Sequence, residues 1–533
     1  MKRKWHDLYP SGIPFEVEIP TDVSIYDSFE KAVNNSPSTT AIIDEELTMT
    51  YSELKTATDR LAKYLHTKGM KKGDHIAVML PNSAEYIVCY FALQRLGCIQ
   101  VQVNILYQSS ELTHILNDCS AKWILCDDAQ IPKIEAIELR AKIEPIVFDG
   151  ERKFFRNVCL NESVTENIQL PDVLIDPMEN VAIVQYTGGT TGNAKGVMLT
   201  HHNIVGNVIQ NCVFYSLRKK EEITLGNTPM AHVMGLSYIN ITFALSGTYI
   251  VVKRFNIQKV KELLQKYAPT IFIGAPTIYI ALLNSDEISD EDLKSLKICT
   301  CGTAPLPLEV IKEFEERSGA QIMEGYGMTE VLVTHRNPRS DKKKTGSIGI
   351  PLPSTDCKIV DMDDGNREVP IGEQGELLIK GPQVMKGYWN NPEETGHVLR
   401  DGWLSTGDMA VMDDEGYFYI VGRKKDLIIA SGYNIYPIEV ENVVYEHPAV
   451  LEACVFGVPD SYRGETVKCV IVPKEGYEVS AEEMTAFCKE RLATYKVPKL
   501  VEFRDSLPKT AVGKIMKQQL MKEEVMKLDK LKW

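Results

Sequence analysis

Between Tyr186 and Gly196 the chain reads Tyr-Thr-Gly-Gly-Thr-Thr-Gly-Asn-Ala-Lys-Gly, residue types suited to wrapping backbone around a polyphosphate. Gly188, Gly189 and Gly192 permit close backbone approach, while Thr187, Thr190 and Thr191 carry hydroxyls that can donate to phosphate oxygens or reach a metal. Lys195 adds a mobile positive charge. The spacing is not that of a Walker loop, GxxxxGK[ST], because Lys195 is followed by Gly196. The apolar run from Val181 to Tyr186 predicts a strand entering the ribbon, and Gly196 to Leu199 a second strand leaving it before a helix begins at Thr200. A strand on both sides is unlike the strand-to-helix cradle of P-loop enzymes. An ordinary glycine-rich turn is the rival reading, and the unbroken run of Gly and Thr ahead of a Lys argues against it.

Further along, Glu324-Gly-Tyr-Gly-Met-Thr-Glu330 reads as a loop that could stack a base and hold a metal. Tyr326 offers a ring to adenine, Thr329 a donor to an α-phosphate, and Glu330 a hard oxygen for Mg²⁺. Alone, the heptapeptide reads equally well as a tight turn with an exposed Glu. Ser405-Thr-Gly-Asp408 places Asp408 at an expected strand end, where its carboxylate can accept from ribose hydroxyls; an Asx turn competes with that reading. Arg423, in Gly422-Arg-Lys-Lys-Asp426, is either a second sugar contact or part of a plain basic turn. His232 lies in the apolar segment Pro229 to Leu236, where a single His is usually a packed core residue, and Lys514 sits on the Pro/Gly-bounded loop Pro508 to Lys514, where most lysines are merely solvated.

The elements that must position these residues follow from pattern. From about Asp27 to Val252, helical stretches such as Ser52 to Leu65 alternate with β-rich runs such as His75 to Leu80, which implies layered α/β architecture. The alternation continues through Thr270–Ile273, a helix near Thr277 to Leu283, a strand over Leu296–Thr300 and a helix near Pro307 to Ser318, and after about Gly346 it gives way to short strands separated by Gly, Pro and Asp. Near Gly422–Asp426 the texture changes again, to a βα arrangement that runs to the end. In it, Ala453–Phe456 and Lys468–Val472 read as strands and Ser480-Ala-Glu-Glu483 has capping-box spacing.

At 533 residues the chain exceeds one ordinary core, so more than one domain is expected. A formal net charge of −14 argues against a nucleic-acid binder, whose surface would be basic, and requires any anionic substrate to be held by local charge. The 12 cysteines have no paired spacing, and the start has no apolar secretion core, which predicts a reduced, cytoplasmic protein. Cys299 and Cys301 have no second His/Cys cluster to complete a zinc site and read as buried strand thiols. The uncharged stretch Val233 to Val252 breaks at Ser246-Gly247 into a helix and a strand, so it reads as core and not as a membrane span. Peripheral membrane contact is compatible with the sequence, as are a monomer and a homodimer.

Taken in order, Thr187–Gly192 with Lys195, Gly302-Thr-Ala-Pro-Leu306, Gly325–Glu330, Ser405–Asp408, Gly422-Arg423 and Pro508–Lys514 resemble the adenylate-forming acyl-CoA synthetase superfamily over nearly the whole chain. The start, Tyr9-Pro-Ser-Gly-Ile-Pro14, is further similar to bacterial long-chain fatty-acid–CoA ligases. The resemblance implies an α/β fold: a large N-terminal adenylation domain of two α/β halves plus a β-rich subdomain over residues 1–421, a hinge at 422–425, and a small mobile α+β C-terminal domain over 426–533. It implies an enzyme that makes an acyl-adenylate from a carboxylic acid and Mg·ATP with loss of pyrophosphate, and then an acyl-CoA thioester with loss of AMP.

By the same resemblance, Lys195 with Thr187, Gly188, Gly189, Thr190, Thr191 and Gly192 holds the β- and γ-phosphates. Glu330, with Thr187, carries Mg²⁺, Thr329 meets the α-phosphate, Gly302, Gly325 and Tyr326 enclose adenine, and Asp408 and Arg423 hold the ribose. Lys514 bridges the substrate carboxylate and the α-phosphate, with His232 bordering both. Lys425 is the pivot about which the tail domain withdraws Lys514, bringing Gly432 and Tyr433 towards CoA. Ile429 departs from the family pattern, in which many relatives carry Lys, and this puts the CoA contacts in doubt.

Amino-acid-activating relatives place an Asp where Val233 stands here, so an amino-acid substrate, with its ammonium unpaired, is disfavoured. The apolar runs Met234–Phe243 and Phe272–Tyr279 could line an acyl tunnel or simply be core; with the resemblance they point to a medium- or long-chain fatty acid. An aryl acid such as coumarate, a carrier-protein acceptor in place of CoA, and a non-catalytic acyl or nucleotide binder are the alternatives.

Overall fold

The computed structural model describes residues 3–161, 166–187, 194–302, 306–362, 364–365, 367–460, 462–510 and 514–530. Among these residues the strands form four sheets. In the first, β1 (Val181–Thr187) and β2 (Lys195–Thr200) pair antiparallel, with Tyr186 opposite Gly196 and Thr187 opposite Lys195. Gly387–Tyr388 adds to the outer side of β2, and β1 joins a parallel set made of Ile99–Gln102, His75–Met79, Trp123–Asp127 and Glu144–Phe148. Ala182, Ile183 and Val184 are fully buried, which is why β1 reads as an unbroken apolar run instead of alternating. Thr200 ends β2 and caps α1 (His201–Phe214): its hydroxyl accepts from the Asn203 amide at 3.2 Å while Asn203 Oδ1 accepts from the Thr200 amide at 2.9 Å.

The second sheet has a parallel centre, including Thr248–Val251, Ile223–Gly226, Ile271–Gly274 and β3 (Ile298–Cys301). Helix α2 (Val233–Ala244) packs against this centre. It stops at Leu245 as Ser246 turns into the left-handed region at φ 54°, and a strand follows at Thr248, as expected from Ser246-Gly247. Cys299 and Cys301 are buried strand thiols. At one edge, β4 (Gln321–Met328) runs parallel to β3 and turns back into β5 (Leu332–Arg336). The loop expected over Glu324–Glu330 is therefore largely strand. Its glycines serve close backbone approach: a Cβ on Gly327 would fall 2.1 Å from the Leu332 carbonyl oxygen.

The third sheet is antiparallel; its members include Asp356–Val360, Gly375–Lys380 and, after α3 (Pro392–Val398), β6 (Trp403–Met412) and β7 (Phe418–Arg423). Asp408 lies within β6, not at the expected strand end. Pairing with the neighbouring strand jumps from Met409 opposite Glu376 to Ser405 opposite Leu378, so Thr406, Gly407 and Asp408 bulge, with Gly407 at φ 71°. The Asp408 amide donates to Thr406 Oγ1 at 3.1 Å, so the local turn is built on Thr406 and not on an Asx side chain.

The fourth sheet belongs to a small C-terminal lobe: β8 (Ile428–Ala430), β9 (Tyr433–Ile435), β10 (Val450–Asp460), β11 (Gly464–Pro473) and β12 (Leu500–Phe503), with α4 (Pro437–Tyr445), α5 (Ala481–Lys489) and α6 (Lys517–Lys530). Its core, including Ile428, Ile435, Val440, Val455, Val467 and Ile471, is separate from those of the larger part. Ser480 caps α5 by accepting from the Glu483 amide at 3.1 Å, but the reciprocal half of the expected box does not form; Glu483 lies 3.8 Å from His447 instead. Among the described residues, no helix is long and apolar enough to cross a membrane.

Candidate active site

The ends of β1 and β2, the β4–β5 hairpin, the bulge of β6 and the end of β7 bring most of the chemistry-bearing residues together. The register of β1 and β2 holds Thr187 beside Lys195 at the base of the ribbon; Gly188, Gly189, Thr190, Thr191 and Gly192 lie outside the described residues. The Lys195 ammonium donates to a Glu394 carboxylate oxygen from α3 and stands 5.2 Å from the centroid of the Tyr388 ring. The Tyr388 hydroxyl in turn donates to Glu330 Oε1 at 2.9 Å. Glu330 is 6% exposed, and burial raises its pKa despite the Tyr388 bond and the more distant charges of Arg423 and Lys195. Thr329 precedes it in the turn between β4 and β5, half-buried.

A second cluster surrounds Asp408. Cross-strand pairing sets it opposite Arg423, whose Nε donates to Oδ1 at 3.0 Å, and the Tyr326 hydroxyl donates to Oδ2 at 2.5 Å. Tyr326 thus arrives with its hydroxyl engaged, and its ring meets His335 edge-on at 6.0 Å. The Cβ position of Gly325 is spoken for as well, since a side chain there would meet Arg336 Cδ at 2.8 Å. Gly302, at the end of β3, faces Met234 Sδ, 2.9 Å from where its Cβ would stand.

His232 is the N-cap of α2, and its Nδ1 accepts from the Met234 amide at 3.2 Å. That bond requires a lone pair on Nδ1 and assigns the proton to Nε2. Burial, helped by the charge of Lys514, pulls its pKa down to about 4, so the ring is neutral at pH 7. Lys514 approaches from the C-terminal lobe on a tight hairpin, in which its amide donates to Thr510 Oγ1 at 3.2 Å and its carbonyl accepts from the Thr510 amide at 2.8 Å. The residue is exposed at its surface while protein packs around its ammonium. That crowding, with the charge of Arg423, pulls its pKa down to about 8 against the opposing effect of Asp408 and Asp426.

Lys425 sits in the short turn Lys424–Asp426 between β7 and β8, where burial and the charge of Arg423 lower its pKa. Gly432, at φ 82°, makes the turn between β8 and β9, and Tyr433 stacks on Tyr495 of the same lobe at 4.4 Å. Among the described residues, neither joins the clusters above by hydrogen bond or ion pair. Ile429 is exposed, with its amide donating to Glu465 at 2.8 Å.

The pattern of residues did not single out Tyr388 or Glu394. Asn391-Pro-Glu-Glu394 carries the marks of a helix start, and Asn391 does accept from the Glu394 amide at 3.1 Å, so that local signal hides the long-range role of the carboxylate.

The clusters together gather buried or half-buried carboxylates, two lysines, an arginine and a neutral histidine. The AMP-binding enzyme family matches residues 29–389, and the AMP-binding enzyme C-terminal domain matches residues 439–514. A long-chain-fatty-acid–CoA ligase of Bacillus subtilis (strain 168) is 42% identical over 98% of this chain and 98% of its own, and a feruloyl-CoA synthase of Amycolatopsis sp is 36% identical over 91% and 96%. Among solved structures, ATP-bound MatB from Rhodopseudomonas palustris aligns at TM-score 0.87 and 30% identity over 94% of this chain and 99% of its own. The O-succinylbenzoate Coenzyme A synthetase (MenE) from Bacillus subtilis, in complex with ATP and magnesium ion, aligns at 0.81 and 30% over 93% and 99%. The chain belongs to the AMP-binding enzyme family, among the adenylate-forming acyl-CoA synthetases.

Proposed function

We propose that this chain, an AMP-forming acid–CoA ligase by family, takes a medium- or long-chain fatty acid and joins it to CoA through an acyl-adenylate. The observation that carries the reading is Lys514: a lysine from the C-terminal lobe reaching the Asp408–Arg423 cluster and His232 of the larger part. In the first step the acid's carboxylate oxygen attacks the α-phosphorus of ATP, and the bond to the pyrophosphate oxygen breaks. Charge gathers on the oxygens between acid and α-phosphate, where the Lys514 ammonium and the Thr329 hydroxyl neutralise it and His232, through Nε2–H, donates to an acid oxygen. Thr187, Gly188, Gly189, Thr190, Thr191, Gly192 and Lys195 take the β- and γ-phosphates, Gly302, Gly325 and Tyr326 border the adenine, and Asp408 and Arg423 take the ribose.

Glu330 and Thr187 fit Mg²⁺. Among the described residues no three His, Cys, Asp or Glu side chains gather to hold a metal, and one buried carboxylate with a hydroxyl suits an ion that keeps phosphate oxygens as ligands. When bound, Mg²⁺ would neutralise phosphate charge.

In the second step the CoA sulfur attacks the acyl carbon, the bond from that carbon to the phosphate oxygen breaks, and AMP leaves as its phosphate dianion while the thiol proton passes to solvent. We place the pivot at Lys425, so that rotation of residues 426–533 withdraws Lys514 and turns Gly432 and Tyr433 towards CoA. Carboxylate-dependent pyrophosphate release over a panel of fatty and aryl acids, with and without CoA, tests the reading. Release with fatty acids and CoA-dependent thioester support it. Release with aryl acids alone favours an aryl-acid ligase, release without thioester favours another acceptor, and silence across the panel leaves a non-catalytic binder.

A further inference from the structure

Among the described residues, two Lys or Arg residues are buried as a whole, Lys468 and Arg336. They are treated differently. Lys468 lies 2.6 Å from both Glu502 and Glu524, as a buried cation requires. Arg336, 5% exposed at the end of β5, makes no ion pair among the described residues. Its one hydrogen bond runs from Nη2 to the Tyr238 hydroxyl at 3.3 Å, the Tyr215 ring covers it at 5.8 Å, and Nε is buried without a partner. A guanidinium has five N–H donors, and the one on Nε is both buried and unused here. An uncompensated buried charge is expensive enough that a packing role alone explains it poorly, since a neutral side chain of similar length would pack as well.

Its position says what could compensate it. On α2, His232 caps the N-terminus beside Lys514, Met234 faces Gly302, and Tyr238, one turn beyond Met234, donates to Thr300 Oγ1 at 2.9 Å and accepts from Arg336. The helix face that begins at the reacting end thus leads to Tyr238, roughly 9 Å further along the axis at 1.5 Å per residue, and through its hydroxyl to Arg336. From the other side, Gly325 lacks the Cβ that would stand 2.8 Å from Arg336 Cδ and 3.2 Å from Nη1, so the guanidinium lies against the Gly325 backbone.

We propose that Arg336 receives a second carboxylate at the far end of the acid, so that the preferred substrate is an α,ω-dicarboxylic acid and not its monocarboxylic counterpart. The proposal rests on the ligase reading and narrows its acid. A carboxylate accepts two parallel N–H···O bonds from an arginine fork, while the Tyr238 hydroxyl, whose proton is on Thr300, holds Nη2 in place. A methyl-ended chain would instead leave the guanidinium buried against hydrocarbon.

The test is pyrophosphate release by the full chain with matched pairs, octanoate against octanedioate and dodecanoate against dodecanedioate, for wild type, Arg336→Met and Arg336→Lys. We expect wild type to favour the dicarboxylate of at least one length by about 10- to 100-fold in kcat/KM, the worth of a hydrogen bond to a charged group. Arg336→Met should reverse the order, and Arg336→Lys should keep part of it. An ATP-induced rise in Tm in Arg336→Met shows that the nucleotide site is intact, and if that variant fails to fold, the wild-type ratios decide alone. Wild type favouring the monocarboxylate at both lengths overturns the proposal while leaving the ligase reading standing, as does an unchanged ratio in folded Arg336→Met. No release with any fatty or aryl acid would sink the ligase reading as well.

Discussion

Lys195 and Lys514 come from two parts of the molecule, and their settings differ. Lys195 leaves a strand of the large part with its ammonium held by Glu394 and laid over Tyr388. Lys514 hangs on a hairpin of the small lobe, where crowding and the nearby Arg423 charge lower its pKa to about 8, and it makes no ion pair among the described residues. The first has a resting partner in its own domain and the second does not. On the proposed reading, a lysine that holds the β- and γ-phosphates and stays with its own domain tolerates an anchor, whereas one that leaves after the first step is better held by little more than the anionic transition state.

The most severe way to break the contrast is Lys514→Ala, which should slow pyrophosphate release by about 10²- to 10³-fold, the range for removing one donor to a developing oxyanion. Next, Lys425→Pro should stiffen the turn between β7 and β8 and slow thioester formation by roughly 10- to 100-fold while sparing adenylation; single-turnover assays of each half-reaction separate the two. Equal loss of both steps would count against domain alternation.

The pH profile sharpens the same point. A lysine with its pKa lowered to about 8 is charged below that pH and loses its charge above it, so kcat/KM for adenylation should fall as pH rises through about 8. Lys514→Arg, which stays charged, should lack that limb, and its persistence there would assign it to another group. The smallest effect belongs to Glu394→Gln. On the proposed reading ATP displaces Glu394 from Lys195; both side chains are about a third exposed, so the pair is worth at most about 1 kcal/mol and KM for ATP should fall by no more than about 5-fold. A rise in KM would mean that Glu394 orients Lys195 instead of competing for it.

Much of this frame could be read from the sequence because its signals are local. Apolar runs flanking the Gly/Thr ribbon, Thr200 ahead of a helix, and Ser246-Gly247 between a helix and a strand each act over a few residues, and the elements stand where those signals put them. The site was legible as a roster of residues but not as a set of partners. Glu394 meets Lys195 across 199 positions and Tyr326 meets Asp408 across 82, distances at which no periodicity carries information. Strand pairing also overrode local texture: Glu324–Met328 looks like a loop because of its glycines, yet those glycines admit the neighbouring strand, and Asp408 sits in a bulge that only the register of β6 reveals. Arg336 gave no signal at all, since an arginine beside Asn-Pro reads as a surface turn until burial shows otherwise.

The claim that Lys514 serves one step and is then withdrawn is tested most directly by supplying preformed acyl-adenylate and CoA to Lys514→Ala and timing thioester appearance. A rate within about 2-fold of wild type, beside a collapse of pyrophosphate release in the same preparation, is the expected result, since the second step does not use this ammonium. A thioester rate that falls as far as adenylation would contradict it.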